Sequence, residues 1–402
     1  MQLIHRSVAF IFSEASVILR FQKRSLLMLN RRTLRIKIMQ SLFAFDQCRE
    51  ANHLLALDLI EERFQPDLNS MEVQNKELLR DQKKIAIELF GKRYKGKETL
   101  ESPDSKIERS VVDALELYAK QVKKDQSYLS KNIILETEKL SDLYHSVLSL
   151  ILEFSELATQ EKKTNHSNFV NHPLVKSIRS NPELTAQVLK KDSGWHNQKN
   201  LVRGWFREVI KEDSLYKDFI AANNPDEESQ KQIIKHLVRK LILGAGPIND
   251  YFEDLDIRWS EDRDIVKSLT DKTIKSFADN NITLQKLSLD WEDDKDFVNK
   301  LFESTINLDA KYKQLIAQNT KNWEVERLPL TDRIILEMAL AEMIHFPNIP
   351  VKVTINEYIE LSKEYSTPKS RQFINGILDV LAKTMKESGA IKKSGRGLID
   401  NK

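Results

Sequence analysis

Apolar residues recur at helical spacing along nearly the whole chain, and almost nowhere with the strict alternation of a strand. The first strong segment runs from about Arg31 to Cys48. Leu34, Ile38, Leu42 and Phe45 line one side of it, and Ile36, Met39 and Phe43 widen that side, leaving Thr33, Lys37, Gln40 and Gln47 for the remainder. So wide an apolar arc predicts a helix at the centre of a bundle. Further helices are predicted around Glu77–Phe90, Ser110–Lys124 and Leu135–Leu157, with Gly91–Asp104 as a loop. In the longest of them Leu140, Leu143, Tyr144, Val147, Ile151 and Phe154 keep the spacing. Asn181-Pro182 reads as a cap followed by proline at the first helical position. Leu201, Val202, Trp205, Phe206, Val209 and Ile210 mark another amphipathic helix; Pro225-Asp226 opens the next and Gly244-Ala245-Gly246-Pro247 closes it. Ser260 is placed to cap a helix carrying Ile265, Val266, Leu269 and Phe277.

The last hundred residues are the best punctuated. Phe297–Leu315 and Ile334–Ile344 read as helices, separated by Leu328-Pro329, and Pro347 with Pro350 makes a turn. Thr354-x-x-Glu357 has the form of a capping box, and Thr367-Pro368 repeats the cap-then-proline signal. Asn375-Gly376 would ordinarily suggest a hairpin. Ile374, Ile377, Leu378 and Leu381 nevertheless keep helical spacing straight through it. Gly376 is therefore expected inside a helix, at about 1 kcal/mol relative to alanine, where another backbone or a ligand approaches closely.

Composition supports this reading. Only 10 glycines and 10 prolines occur in 402 residues, and 41% hydrophobic content suffices for a packed core. The class is all-α. Net charge is only +3, but its distribution is uneven. Between Glu14 and Asp46 there is no acid, yet Arg20, Lys23, Arg24, Arg31, Arg32, Arg35 and Lys37 fall there. Ser388–Ile399 is likewise free of acids and carries Lys392, Lys393 and Arg396, whereas acids cluster at Glu253–Asp264 and Asp290–Asp296. Such asymmetry points to a polyanion site on part of the surface. The single cysteine, Cys48, excludes an internal disulfide and reads as a small apolar helix residue. No run approaches the ~18 apolar residues of a membrane span. Residues 1–28, where Glu14 interrupts the apolar stretch, read as an accessory extension before the main fold, and the expected compartment is the cytoplasm.

Catalytic constellations are missing. The eight histidines are scattered, and there is no H-E-x-x-H, phosphate-binding G-x-x-x-x-G-K-[ST] loop or G-x-S-x-G elbow. No metal or cofactor is expected. The positive signal lies at the start of the first helix. Arg31, Arg32 and Arg35 sit where the helix dipole disfavours cations, by ~0.3–1 kcal/mol each. Arginines there concentrate positive potential where phosphates bind well; a solvated basic end is the other reading. In the final helix Lys369, Gln372 and Gly376 lie off the core stripe, with Phe373 at its edge. An aromatic beside a cation and amides can stack an unpaired base, or Phe373 can simply pack at the edge of the core.

Both features fall on a family pattern. Leu29-Asn-Arg-Arg-Thr-Leu-Arg-Ile-Lys-Ile-Met-Gln-Ser-Leu-Phe-Ala-Phe resembles the arginine-rich first helix of NusB proteins. Asp332-Arg333-Ile-Ile-Leu, Glu342, Ile349-Pro-Val-Lys-Val-Thr-Ile-Asn-Glu-Tyr-Ile-Glu-Leu-Ser-Lys and Lys369-Ser-Arg-Gln-Phe-Ile-Asn-Gly-Ile-Leu-Asp are similar, in order, to the C-terminal half of that family. The clear match covers about residues 29–48 and 293–385; the Asp142-Leu-Tyr-His segment of the long helix also looks like that of longer family members.

The resemblance implies antiparallel helical bundles with an extended helical insertion. Along the chain this gives an extension over 1–28, the first helix of the NusB-like domain over 29–50 and the insertion over 51–292. The C-terminal part of the domain follows over 293–386, and a basic flexible tail over 387–402. It further implies a non-enzymatic transcription antitermination factor. Such a factor binds single-stranded boxA-type leader RNA with the ribosomal small-subunit protein that doubles as NusE, within the RNA polymerase antitermination complex. By position, Arg31, Arg32 and Arg35 would contact phosphates, Lys369, Gln372, Phe373 and Asn375 would face RNA, and Asp332 and Arg333 would meet the partner protein. Lys369 stands where relatives often carry an acid. Two alternatives remain: a helical protein-interaction scaffold, and a relative of the RNA methyltransferases that carry NusB-like domains. The latter would need a glycine-rich cofactor loop after a strand and a catalytic cysteine.

Overall fold

The computed structural model describes residues 29–401, except Ser70, Glu72, Glu98, Glu101 and residues 321–327. The extension expected over 1–28 lies outside the described residues. Among those residues the chain is helix and loop, with a single isolated bridge between Ala278 and Asn281. Asp279 and Asn280 both take positive φ in that turn, a conformation that asparagine and aspartate tolerate better than other side chains.

The helices are longer than their apolar patterns suggest. The first, α1 (Arg31–Arg63), continues past Cys48. The stretch beyond Cys48 is charge-dense but lacks glycine and proline, and Ala56 and Ile60 extend the buried stripe. Next comes α2 (Lys76–Tyr94), capped by the Asn75 side chain, which accepts from the Leu78 amide. Two expected helices then merge into α3 (Ser105–Gln160). Nothing breaks the segment between them, and Leu129 and Ile133 carry the buried stripe across.

Two compact units make up the chain. One contains, among the described residues, Glu136–Asp294 and residues 29–31. Its helices after the C-terminal part of α3 are α4 (Ser167–Val170), α5 (Pro173–Arg179), α6 (Pro182–Lys191), α7 (Lys199–Trp205), α8 (Ser214–Ala221), α9 (Glu227–His236), α10 (Pro247–Leu255) and α11 (Trp259–Lys275). Asn181 caps α6 and Asp226 caps α9, as their sequences suggest, whereas α11 starts at Trp259 and leaves Ser260 inside it. Short π-helical turns, Phe206–Ile210 and Leu237–Ile242, extend α7 and α9.

An aromatic lattice holds this unit together. Phe252 stacks on Trp259 at 4.7 Å, and Trp195 meets Trp205 edge-on at 5.6 Å. Both buried indole N–H groups are satisfied, Trp195 by the Ser146 carbonyl at 2.9 Å and Trp259 by Asn249 Oδ1 at 2.8 Å. Histidines are absorbed into the same packing. Burial pushes the His145 imidazole down to about 4, and burial also lowers His166 and His172, so these rings are neutral core residues at physiological pH.

The second unit contains, among the described residues, Arg32–Leu135 and those from Lys295 onward. The distal half of α1 packs with α2 and the start of α3 around Ala56, Ile60, Phe64, Ala86, Phe90, Ile107, Val111 and Ala114. The proximal half of α1 belongs with the C-terminal helices: α12 (Trp291–Ile306), α13 (Ala310–Thr320), α14 (Leu330–His345), α15 (Val351–Tyr365) and α16 (Pro368–Glu387). Phe45 of α1 meets Phe302 of α12 edge-on at 6.4 Å. α14 packs on both α15 and α16, and α13 also lies on α16. Within α14 nearly every side chain from Ile334 to Met343 is buried, which identifies it as the central helix of this bundle.

Two local expectations change. α15 starts at Val351, so Thr354 lies inside the helix, fully buried, and Thr354-x-x-Glu357 does not cap it. The tail is docked from Ile391 to Gly397 rather than loose. Ile391 is buried, Lys393 Nζ donates to the Phe346 carbonyl at 3.0 Å and the Ser394 amide to the Pro347 carbonyl at 3.1 Å. A Cβ at Gly397 would lie 2.0 Å from that same Pro347 oxygen, so only glycine fits there.

Candidate nucleic-acid interface

The arginines that open α1 do not form one free cationic cluster. Arg31 is half-buried and pairs with Asp293 and with Asp294, the latter at 3.2 Å. Arg32 makes a bidentate pair with Glu357 of α15, at 3.0 and 2.9 Å, and its side chain remains 39% exposed. The Glu357 bond raises the Arg32 pKa, partial burial opposes it, and Glu357, Glu360 and Glu364 add attraction.

Arg35 lies inside the bundle, with its side chain 3% exposed. Its Nε and Nη2 donate to Glu342 of α14 at 2.7 and 2.9 Å, and Nη1 reaches Glu357 at 3.5 Å. The rings of Phe297 and Tyr358 flank the guanidinium at 5.4 and 5.9 Å. Burial works against its charge, and the attraction and hydrogen bonds of Glu342 outweigh that, leaving the pKa above its ordinary value. Glu342, fully buried, also accepts from Thr354 Oγ1 at 2.8 Å and Tyr358 OH at 3.2 Å. Every nitrogen of Arg35 is thus engaged within the protein. Burial raises the Glu357 carboxyl, but its bond to Arg32 and the charges of Arg32 and Arg35 win, so it titrates below the usual range. These side chains tie α1 to α14 and α15.

The expected α16 residues divide by face. Lys369, Gln372, Asn375 and Gly376 are exposed, together with Arg371. Phe373 is 7% exposed and sits with Ile374, Ile377, Leu378 and Leu381 on the buried side. Thr367 caps the helix by accepting from the Ser370 amide, so the exposed residues project from a fixed first turn. Helical spacing places Lys369, Gln372 and Gly376 along one stripe, with Asn375 beside it.

Among the described residues a Cβ at Gly376 would meet nothing within 4 Å, so no described backbone explains the glycine. Gly376→Ala is expected to stabilise the fold by about 0.5–1 kcal/mol, measured by urea unfolding. If a ligand backbone approaches here, the same change weakens its binding; greater stability with unaltered binding would dismiss that role.

The two residues expected to meet a partner protein differ sharply. Asp332 is 1% exposed and accepts a bond from Ser366 at the end of α15. Arg333 pairs with Asp46 of α1 at 2.8 Å while its side chain stays 43% exposed. Of the acids that organise the arginines, Glu342 has no role that the sequence pattern alone assigns, and Glu357 is given only that of a helix cap. A signal existed. A fully buried glutamate within the apolar run Met338–Ile344 of α14 calls for a buried cation, and the arginine-rich α1 supplies one.

Among the described residues there is no group of three or more His, Cys, Asp or Glu side chains that could hold a metal ion, and no helix long and apolar enough to cross a membrane.

The model of the NusB family matches residues 263–383, from within α11 to near the end of α16. It starts inside the stretch read as insertion. The Transcription antitermination protein NusB of Chloroherpeton thalassium is 47% identical over 85 residues, 21% of this chain and 40% of that protein. The protein of the same name from Salinibacter ruber is 41% identical over 86 residues, 21% of this chain and 54% of its own length. That of Dictyoglomus turgidum is 41% identical over 87 residues, covering 22% and 58%. The chain thus spans about half the length of the curated relatives it matches. No solved structure matches it. Residues expected from the family pattern recur on α14, α15 and α16, all within or nearly within the matched span, and the chain therefore carries an all-α NusB family domain over residues 263–383.

Proposed function

We propose that the protein is a non-catalytic, RNA-binding transcription antitermination factor of the cytoplasm. It binds single-stranded boxA-type leader RNA together with the ribosomal protein that doubles as NusE, joins the RNA polymerase antitermination complex and supports ribosomal RNA transcription. The observation that carries this reading is the 41–47% identity to relatives named as transcription antitermination proteins. The exposed face of α16 agrees with it, because a cation, two amides and an unhindered glycine suit phosphate and base edges.

In this reading Lys369, Gln372 and Asn375 face the RNA and Gly376 admits its backbone. Arg31 and Arg32, partly exposed, offer phosphate contacts. Arg35 acts from within, fixing α1 against α14, and Phe373 supports α16 from its buried side. Arg333, with Asp46 beside it, presents the polar edge for the ribosomal protein, and Asp332 holds the end of α15 through Ser366.

A short boxA-like RNA titrated at several salt concentrations, with and without the ribosomal protein, tests this. Binding is expected to be weak alone, tighter with the partner, and to fall steeply with salt. A scrambled RNA bound equally well in the presence of the partner would sink the proposal.

A further inference from the structure

The long helix α3 carries a second basic face, outside the family match and separate from the α16 residues. From Lys120 to Lys131 the exposed side chains include Lys120, Lys123, Lys124, Ser127, Tyr128 and Lys131. At about 100° per residue they share one arc roughly 140° wide and span ~16 Å along the axis. The one acid in this stretch, Asp125, points away and accepts from Asn52 of α1 at 2.7 Å. Neither the lysines nor Tyr128 have a hydrogen-bond or ion-pair partner among the described residues. Elsewhere in the same three-helix pack several cations are paired with acids, among them Arg63 with Asp113, Arg93 with Glu108 and Lys92 with Glu88.

Tyr128 decides between possible ligands. A face selected only for solubility has no use for a phenol ring 65% exposed between Lys124 and Lys131, because exposed aromatic area is unfavourable. A ring flanked by cations four residues before and three after provides a stacking platform with phosphate contacts on both sides. Every nucleobase has a face that can stack there, so little sequence preference is needed. A purely acidic polypeptide would use the lysines and leave the ring idle.

We propose that the Lys120–Lys131 face of α3 is a sequence-tolerant binding surface for single-stranded nucleic acid. Tyr128 stacks a base, and Lys120, Lys123, Lys124 and Lys131 contact the phosphates. It is independent of the α16 site, and lets the chain hold RNA flanking the segment that α16 reads.

The test is fluorescence anisotropy of the full chain with a labelled mixed-sequence RNA of about twenty nucleotides, across a salt series. The parent for comparison carries K369A and Q372A, which removes the α16 contribution. Replacing Lys120, Lys123, Lys124 and Lys131 with alanine should flatten the slope of log affinity against log salt by about two to three, at ~0.7 for each phosphate no longer neutralised. Tyr128→Ala should weaken binding about fivefold or more while Tyr128→Phe retains it, since the ring alone stacks. These side chains are exposed, so the circular dichroism and unfolding midpoint should not change. Unchanged slope and affinity in the lysine variant would overturn the proposal even where K369A and Q372A have already weakened boxA-like RNA. Loss of polyglutamate binding without loss of RNA binding would also overturn it, in favour of an acidic protein partner.

Discussion

Glu342→Ala is expected to destabilise the folded chain by about 3–5 kcal/mol, the usual cost of removing one partner from a buried ion pair. The carboxylate is fully buried and accepts two bonds from Arg35 and one each from Thr354 and Tyr358. Removing it leaves a guanidinium with 3% exposure facing two hydroxyls and two aromatic rings, with only the 3.5 Å pairing to Glu357 remaining. Urea unfolding of the full chain gives the readout, as a lower midpoint of the transition that includes α14. The double variant R35M with E342L should recover most of the loss, because a buried pair replaced by apolar groups of similar volume is often neutral or better. Arg32→Ala should cost no more than about 1 kcal/mol, since water already screens that pair. Equal losses for Arg32→Ala and Glu342→Ala would mean that the buried network contributes nothing special.

The sequence revealed helix positions better than helix ends. Periodicity found α1 but stopped it at Cys48, because the charges from Arg49 to Arg63 hide the buried stripe of Ala56 and Ile60, and it read α3 as two helices although Leu129 and Ile133 carry the buried stripe between them. Caps with a side-chain acceptor before a proline, Asn181 and Thr367, were legible because their chemistry is local. Thr354 and Glu357 show the converse. Their spacing imitates a capping box, and only the tertiary fold turns the hydroxyl towards Glu342 and the carboxylate towards Arg32. The arginines followed the same rule. Their positions were read correctly as unfavourable to the helix dipole, but the compensating charge came from residues some three hundred positions away, beyond the reach of any local pattern.

That division of the arginines from the α16 face leads to the second large effect. Lys369→Glu combined with Gln372→Ala is expected to weaken boxA-like RNA by about 2–4 kcal/mol, or roughly thirtyfold to several hundredfold. On the proposed reading, one phosphate contact becomes a repulsion and one base-edge amide is removed. Both side chains are exposed, so stability should stay within about 0.5 kcal/mol of the parent. The R35M and E342L double variant, with stability near that of the parent, should by contrast keep RNA affinity within about threefold, because Arg35 has no nitrogen left to offer a phosphate. Anisotropy titrations of the three proteins at one salt concentration separate these outcomes. If removing Arg35 weakened RNA as much as reversing Lys369, the arginine would have to leave Glu342 on binding. The interface would then include the core of the bundle rather than its α16 surface alone.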